Sequence, residues 1–442
     1  MKRIAVALTM AALPVASLFI HAQTSACDLT AYHAQPGLTA VNGADGLTVS
    51  WAGESARGLR LRLAIEAGTP TIRDLSIRRQ GAAWTTLAAN ARPEFRVVAG
   101  FRRMSNQQIQ PLEGLKVPIT PEIVDEHKWD AFWDAPLDLN PQPARGGNPP
   151  PAAGIANQPG LPRKAEEITR ATAVYRADRC EVKTDGARLE ITFPGLQLGP
   201  FAGQLRFTVY RGTGLLRMEA IAKTDQPSVA YKYDAGLAGL SIDAPTSKLA
   251  WRDTSNTWQS YRFGGADNER ETPLKASNRV LIAERGPSAS LAVFPPPHTF
   301  FWAREIATNL GYVWYRKDAA DVFAFGVRQA EREDTPQYDA NFALYSARPG
   351  ALQHMSVYLF ASAEAAQPAL DQVLALTHGD RYKALPGYQV MTITITWIWD
   401  SGCSPPAAST PRFPICRRSN RSASPSSVKS IRSSRVEAGE LA

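Results

Sequence analysis

The sequence predicts an all-β fold, a large antiparallel β-sandwich with two short helices and a disordered C-terminal tail. From about residue 47, apolar and polar residues alternate with a period of two over many short runs, which is typical of half-buried strands. Turn residues (Gly, Pro, Asp and Asn) separate these runs,. Helical signals are few, so alternating strands and helices are not expected.

The first clear strand begins near residue 59. Leu59, Leu61 and Leu63 alternate with arginines, as expected of a strand with one face in a core,. The RGTG stretch at 211–214 lies between two such runs, which favours a hairpin turn over a phosphate-binding loop,. The same alternation predicts further strands at residues 72–77, 95–101, 189–193, 205–210, 215–221, 280–283, 291–294, 312–315, 322–327, 342–345 and 357–360.

Two short helices interrupt this pattern. Thr120, followed by a proline and a glutamate, supplies a cap, a favourable first residue and an acid near the positive end of the helix dipole,. A helix is therefore expected from there to about Trp133. A second helix is expected over residues 363–377, capped by Ser362 and ended by Gly379,.

The first 26 residues are typical of a secretory signal peptide. A basic start precedes an apolar run of 17 residues at 4–20, followed by small residues, so cleavage is expected after Ala22 or Ala26,. A transmembrane anchor would need about 20 apolar residues, and Pro14 interrupts this shorter run. The protein is expected to be periplasmic or secreted, with no transmembrane segment after cleavage.

Cysteine and histidine usage limits the metal chemistry. In an exported chain Cys27 and Cys180 could form a disulfide, while a free or lipidated Cys27 is the alternative, since residues 24–27 loosely resemble a lipobox,. The other two cysteines lie in the C-terminal tail. No CxxC is present, and the five histidines after the leader form no i, i+2 or i, i+4 pair. No metal site and no cofactor are therefore expected in this chain.

The charge is concentrated at the two ends. The chain carries 49 Lys and Arg against 41 Asp and Glu, a net charge of +8 that alone would suggest a nucleic-acid partner,. Residues 401–442 contribute +5 and residues 1–26 contribute +2. The remaining body is close to neutral, so no nucleic-acid partner is expected.

Two segments differ from the body, which spans residues 27–391. Residues 136–163 contain eight prolines and are expected to be an exposed loop within one sandwich, or a linker between two domains,. Residues 392–442 lose the strand pattern, and 401–442 contain 11 serines. This tail is either a disordered basic extension or a product of a frameshift, because the adjacent reading frame over residues 393–396 permits four histidines.

The strongest candidate site lies at residues 294–317, where aromatic and charged residues are dense. Sugars are bound by flat apolar faces together with planar donors and carboxylates. Core packing is the favoured interpretation for aromatic residues in strands, and ligand binding is the alternative. For that alternative the candidate ligand-binding residues are Trp302, Trp314, Tyr315 and Arg316, with Trp302, Arg304 and Trp314 the best candidates for the surface; the candidate catalytic residues are His298, Arg304 and Glu305.

A second candidate site lies at residues 126–134. Glu126 and Asp130 share a helix face, while Trp129 and Trp133 form a stripe on another,. The paired carboxylates could serve as acid and base, or they could simply form a solvated face. The two tryptophans are further candidate ligand-binding residues.

Three stretches resemble the N-terminal β-rich region of secreted bacterial metallohydrolases of the polymerase-and-histidinol-phosphatase type, a group that includes carbaryl-hydrolase-like proteins. They are residues 92–108 (RPEFRVVAGFRRMSNQQ), 207–237 and 294–328. The second stretch is also similar to the supersandwich of galactose mutarotase-like domains.

These resemblances imply an exported module that binds carbohydrate or another extracellular ligand and precedes a hydrolase domain that is missing from this chain. In that case the chain itself is not catalytic. The alternatives are a sugar-active enzyme of epimerase or lyase type, and a structural scaffold.

Overall fold

A computed structural model describes residues 27–102, 112–129, 135–136, 168–242, 247–264, 270–286, 288–297, 299, 311–318, 321–329, 342–343 and 345–380. The expected leader and C-terminal tail, and residues 137–163 of the proline-rich segment, lie outside the described residues.

Most of the described residues form β-strands. In chain order these are β1 (Leu38–Gly43), β2 (Gly46–Ala52), β3 (Gly58–Glu66), β4 (Thr69–Arg78), β5 (Thr85–Phe101), β6 (Ala135–Pro136), β7 (Thr169–Thr172), β8 (Val174–Tyr175), β9 (Glu181–Asp185), β10 (Arg188–Leu198), β11 (Phe201–Tyr210), β12 (Leu215–Lys223), β13 (Val229–Ser241), β14 (Ser247–Arg252), β15 (Trp258–Arg262), β16 (Thr272–Ala276), β17 (Leu281–Arg285), β18 (Ser290–Phe294), β19 (Gly311–Asp318), β20 (Val322–Arg328), β21 (Phe342–Ala343), β22 (Tyr345–Ala347) and β23 (Gln353–Ser362).

The strands form two large antiparallel sheets. One has 11 strands in the order β1-β2-β3-β4-β5-β13-β20-β19-β16, with β7 also pairing with β5 and β22 with β13. The other has 10 strands in the order β15-β14-β17-β18-β23-β12-β11-β10-β8, with β9 also pairing with β10. β6 and β21 form a separate pair. The predicted antiparallel β-sandwich is confirmed, and the RGTG stretch is the hairpin between β11 and β12.

The core lies between the two large sheets. Phe201 of β11 meets Tyr231 of β13 with ring centroids 4.9 Å apart. Tyr233 of the same strand donates a hydrogen bond from its hydroxyl to the carbonyl of Ser356 in β23, at 2.9 Å. Alternation explains this arrangement, because every second residue of a strand faces the opposite sheet. The strand face that points away from this core is called the outer face below.

Within the described residues, helix α1 (Pro121–His127) and helix α2 (Ala366–Leu376) accompany the sheets. The side chain of Thr120 caps α1 as expected, accepting a hydrogen bond from Ile123 N at 3.4 Å. The start of α2 differs from the prediction, because Ser362 ends β23 and its hydroxyl donates to Gln372 at 2.7 Å instead of capping the helix. No helix among the described residues is long and apolar enough to cross a membrane.

Cys27 and Cys180 form a disulfide. Backbone hydrogen bonds beside it join Asp28 N to Cys180 O at 2.7 Å and Val182 N to Asp28 O at 2.8 Å. The side chain of Asn42 bonds both backbone groups of Cys27. The start of the described chain is thereby fastened to β1 and to β9.

Candidate functional site

The outer face of the 11-stranded sheet carries charged side chains on adjacent central strands. Arg96 of β5, Asp234 of β13 and Arg328 of β20 are neighbours in register. Tyr312 of β19 follows next in the same row. All four side chains point away from the core, because the residues that alternate with them, such as Phe95 and Val327, belong to the core,.

Six charged side chains at this face contact one another and form a connected group, here called the ion cluster. Arg316 binds both carboxylate oxygens of Glu94, at 2.9 Å each, and contacts Glu271 at 2.8 Å. Arg96 contacts Glu271 and, at 3.1 Å, Asp234. The ion cluster consists of Glu94, Arg96, Asp234, Glu271, Arg316 and Asp318.

The ion cluster favours the charged forms of Glu271 and Arg316. Burial of Glu271 acts to raise its pKa, but the positive charge of Arg96 and hydrogen bonds from both arginines outweigh it and lower the pKa to about 2,. For Arg316, burial acts to lower the pKa, whereas the hydrogen bonds to Glu94 and Asp318 raise it above its ordinary value. At neutral pH this face therefore presents fixed guanidinium and carboxylate groups side by side.

Trp314 lies beneath this cluster and not at the surface. Its side chain is completely buried. Directly opposite in register is Gly326, where a Cβ would come within 2.8 Å of the indole ring. The indole N–H donates to Val327 O at 3.2 Å. The guanidinium carbons of Arg96 and Arg316 lie 5.1 and 5.7 Å from the ring centroid.

The interpretation of Trp314 as a surface residue is therefore wrong. The missing side chain at residue 326 leaves room for the ring, and two guanidinium groups lie near it,. In this arrangement the ring supports the ion cluster and offers no exposed face on which a sugar could stack.

Tyr315 and Arg316 lie on opposite sides of the sheet. Tyr315 belongs to the core side, where its ring packs 4.6 Å from that of Tyr261, and burial raises its pKa. The expectation of Tyr315 as a ligand-binding residue conflicts with this placement, because strand alternation points it into the sandwich. Arg316 faces outward within the ion cluster.

Lys128 and Trp129, of the second candidate site, lie near the same outer face, at the start of β13. Lys128 follows α1 and bonds Ser228 Oγ at 2.9 Å, and its ammonium lies 4.9 Å from the ring centroid of Trp129, which is partly exposed. Ser228 precedes Asp234 by six residues, about 20 Å along an extended strand. Glu126 is exposed, while Asp130 and Trp133 lie outside the described residues.

Four candidate residues lie outside the described residues: His298, Trp302, Arg304 and Glu305. Two described residues of the same segment accept hydrogen bonds from Arg279. Arg279 donates to the carbonyls of Thr299 at 2.7 Å and Pro296 at 3.3 Å. The same guanidinium forms a bidentate pair with Asp380, at 2.8 and 2.7 Å. Both partners are buried. This pair ties the segment after β18 to the segment after α2.

Sequence reasoning missed Arg96, Asp234 and Arg328. Asp234 was missed because β13 was not predicted. The strand is buried on both sides over most of its length, and its outward residues include a glycine and an alanine. Few polar residues therefore alternate with the apolar ones, and the period of two that marks a strand is hard to recognise. The alternation of Tyr231 and Tyr233 with Lys232 and Asp234 is the signal that could have found it,.

Arg328 is more deeply buried than Arg96 and Arg316 on the same outer face. Its side chain is 4% exposed, and Asp234 lies 3.6 Å away, beyond hydrogen-bonding distance,. Within the described part of the chain, its buried Nε has no hydrogen-bond partner. The described residues also include no group of three His, Cys, Asp or Glu side chains that could hold a metal ion.

Comparison with known proteins gives only distant structural similarity. The chain matches no protein-family model and no curated protein. Among solved structures, it is similar to the galactosidase domain of an alpha-galactosidase–sucrose kinase, with a TM-score of 0.35 and 8% identity over 76% of this chain and 43% of that one.

Two further structures cover nearly the whole of the other protein. A galactose mutarotase related enzyme from Lactobacillus acidophilus has a TM-score of 0.31 and 8% identity, over 72% of this chain and 98% of that chain. An aldose epimerase homologue from C. elegans has a TM-score of 0.30 and 11% identity, over 74% and 99%. Similarity at this level assigns this chain neither a ligand nor an activity.

Proposed function

We propose that this protein is an exported carbohydrate-binding β-sandwich module whose ligand is bound at the outer face of the 11-stranded sheet. One observation carries the proposal: guanidinium and carboxylate groups stand side by side in the ion cluster, on rigid strands. Sugar hydroxyl groups both donate and accept hydrogen bonds, so neighbouring donors and acceptors match them. Groups on strands are also held more precisely than groups on loops.

Trp302 and Trp133 are proposed as ligand-binding residues from the sequence alone, since both lie outside the described residues. The buried position of Trp314 leaves it a supporting role. Trp129 extends the same outer face about 20 Å from Asp234. An extended glycan could therefore contact the ion cluster at one end and Trp129 at the other.

Export is part of the proposal. The Cys27–Cys180 disulfide supports it, because disulfides persist in oxidising compartments,. A lipid anchor at Cys27 and this disulfide exclude each other, since both use the Sγ atom. Intact-mass measurement of the mature protein distinguishes them: a mass without lipid and two hydrogens below the reduced form supports the disulfide.

Glycan binding tests the proposal. The mature protein is screened on a glycan array, and the best ligand is titrated by calorimetry against wild type, Asp234→Asn and Trp302→Ala. We expect each variant to lose at least tenfold in affinity. Trp84→Ala is the matched control, because Trp84 is a partly exposed tryptophan stacked between Arg60 and Arg78 on a different part of the sheet. Binding of no glycan by wild type would refute the proposal and favour a scaffold.

A sugar-active enzyme is the alternative to a binding module. Turnover of a sugar substrate that His298→Ala abolishes would support an epimerase or lyase instead of a binding module.

The proposed relation to a metal-dependent hydrolase rests on the resemblance of residues 92–108, 207–237 and 294–328. Sequencing the gene across codon 392 tests it, and an unbroken frame through the tail would contradict the frameshift.

A further inference from the structure

We infer that the ligand bound at this outer face carries a carboxylate group, as a hexuronic acid residue does, and that Arg328 binds it. The inference rests on the proposed function and narrows its substrate class from glycans in general to acidic glycans.

The first step is the unused hydrogen-bonding capacity of Arg328. The guanidinium group has five N–H donors, yet in the described part of the chain Arg328 has one charged neighbour, Asp234 at 3.6 Å, and a buried Nε without a partner. A buried donor left without an acceptor destabilises the folded state, and more so when it is charged. Such a group is stabilised when an acceptor reaches it.

The second step is that the nearby acids are already engaged. Both oxygens of Glu94 accept from Arg316, and Glu271 is shared by Arg96 and Arg316. Asp234 accepts from Arg96 at 3.1 Å and from the backbone N–H of Gln329 at 3.4 Å. The hydrogen-bonding capacity that remains unused here is therefore that of the N–H donors of Arg328.

The third step is the geometry of the matching acceptor. A planar guanidinium pairs best with a planar carboxylate, through two parallel N–H···O bonds, whereas a hydroxyl group fills one donor at a time. A ligand with a negative charge fits this end of the site better than a neutral one.

The experiment compares acidic oligosaccharides with their neutral esters. Oligomers of galacturonate, glucuronate and mannuronate, and the methyl esters of each, are titrated into the mature protein by calorimetry at fixed salt. We expect at least one acid form to bind ten times more tightly than its ester, because esterification removes the charge and one acceptor. Arg328→Met should abolish this preference, and Arg328→Lys should keep part of it.

Arg206→Met is the matched control. Arg206 lies on the outer side of the other large sheet, pairs with Glu190 at 3.3 Å and also has a buried Nε without a partner among the described residues. Its replacement should leave the preference for the acid form unchanged. Loss of the preference in Arg206→Met as well would show a general charge effect and overturn the role of Arg328.

The possible failures are distinguishable. Equal affinity of wild type for acid and ester, or for neutral glycans and acidic ones, overturns the inference and leaves the proposed function standing. Binding of no oligosaccharide refutes the proposed function itself. An acid preference that survives in Arg328→Met overturns the assignment to Arg328. The wild-type comparison of acid and ester remains decisive even where a variant does not fold.

Discussion

Removal of the disulfide should destabilise the protein by an amount set mainly by the unfolded chain. The bond joins Cys27 to Cys180, 153 residues apart in sequence. In the chain-entropy description, closing a loop of this length lowers the entropy of the unfolded state enough to stabilise the folded state by about 5 kcal/mol at 25 °C. The folded state retains other contacts there, because Asp28 bonds backbone groups of Cys180 and Val182.

Chemical denaturation measures this effect. Urea unfolding of oxidised wild type is compared with the Cys27→Ala/Cys180→Ala variant, and the free energy of unfolding is extrapolated from the linear region. We expect a loss of about 2–5 kcal/mol, the range observed when native disulfides are removed from small secreted domains. A reducing agent should reproduce the loss in wild type and have no effect on the variant. Equal free energies for the oxidised protein and the variant would refute this reasoning.

Three further predictions concern buried groups. Asp380→Asn should lower the free energy of unfolding by about 3–5 kcal/mol, because it leaves Arg279 buried without its counter-charge,; an unchanged urea midpoint would contradict this. Gly326→Ala should lower the free energy of unfolding by at least about 1–3 kcal/mol, because a Cβ would come within 2.3 Å of Ala235 O and 2.8 Å of the Trp314 ring; tryptophan fluorescence should shift as the ring is displaced, and an unaltered spectrum would count against it. The lowered pKa of Glu271, about 2, predicts stability that is complete above its unfolded pKa of about 4.3 and lost as the pH falls towards 2; Glu271→Gln should flatten the decline of unfolding free energy between pH 5 and 2, and an equally steep decline would exclude this contribution.

Strands with one polar face were predictable from sequence. In β3 the buried residues are Leu59, Leu61 and Leu63, as the alternation indicated. β13 was missed because most of its residues are buried on both faces of the sheet, which weakens the period of two. Helix α1 was placed correctly at its start because a capping signal is local,, whereas the start of α2 depends on where β23 ends.

The candidate site was predictable only in part. The density of aromatic and charged residues near 312–317 drew attention to Arg316, which the structure places in the ion cluster. Its partner Glu94 lies 222 residues away in sequence, and nothing local in either segment indicates that contact. Whether Trp314 is exposed likewise depends on a glycine on the adjacent strand and an arginine on β5. Such pairings come from the sheet order, which the strand pattern does not specify.

The glycine beneath Trp314 has an evolutionary consequence. Gly326 faces Trp314 on one side and Gly236 on the other. Its missing Cβ provides space both for the indole and for the adjacent strand, because a Cβ there would come within 2.8 Å of the ring and 2.3 Å of Ala235 O. Among descendants of a common ancestor, a tryptophan at residue 314 should therefore occur only together with the glycine twelve residues away. The converse does not hold, because the Ala235 carbonyl should keep the glycine in place even where the tryptophan is lost.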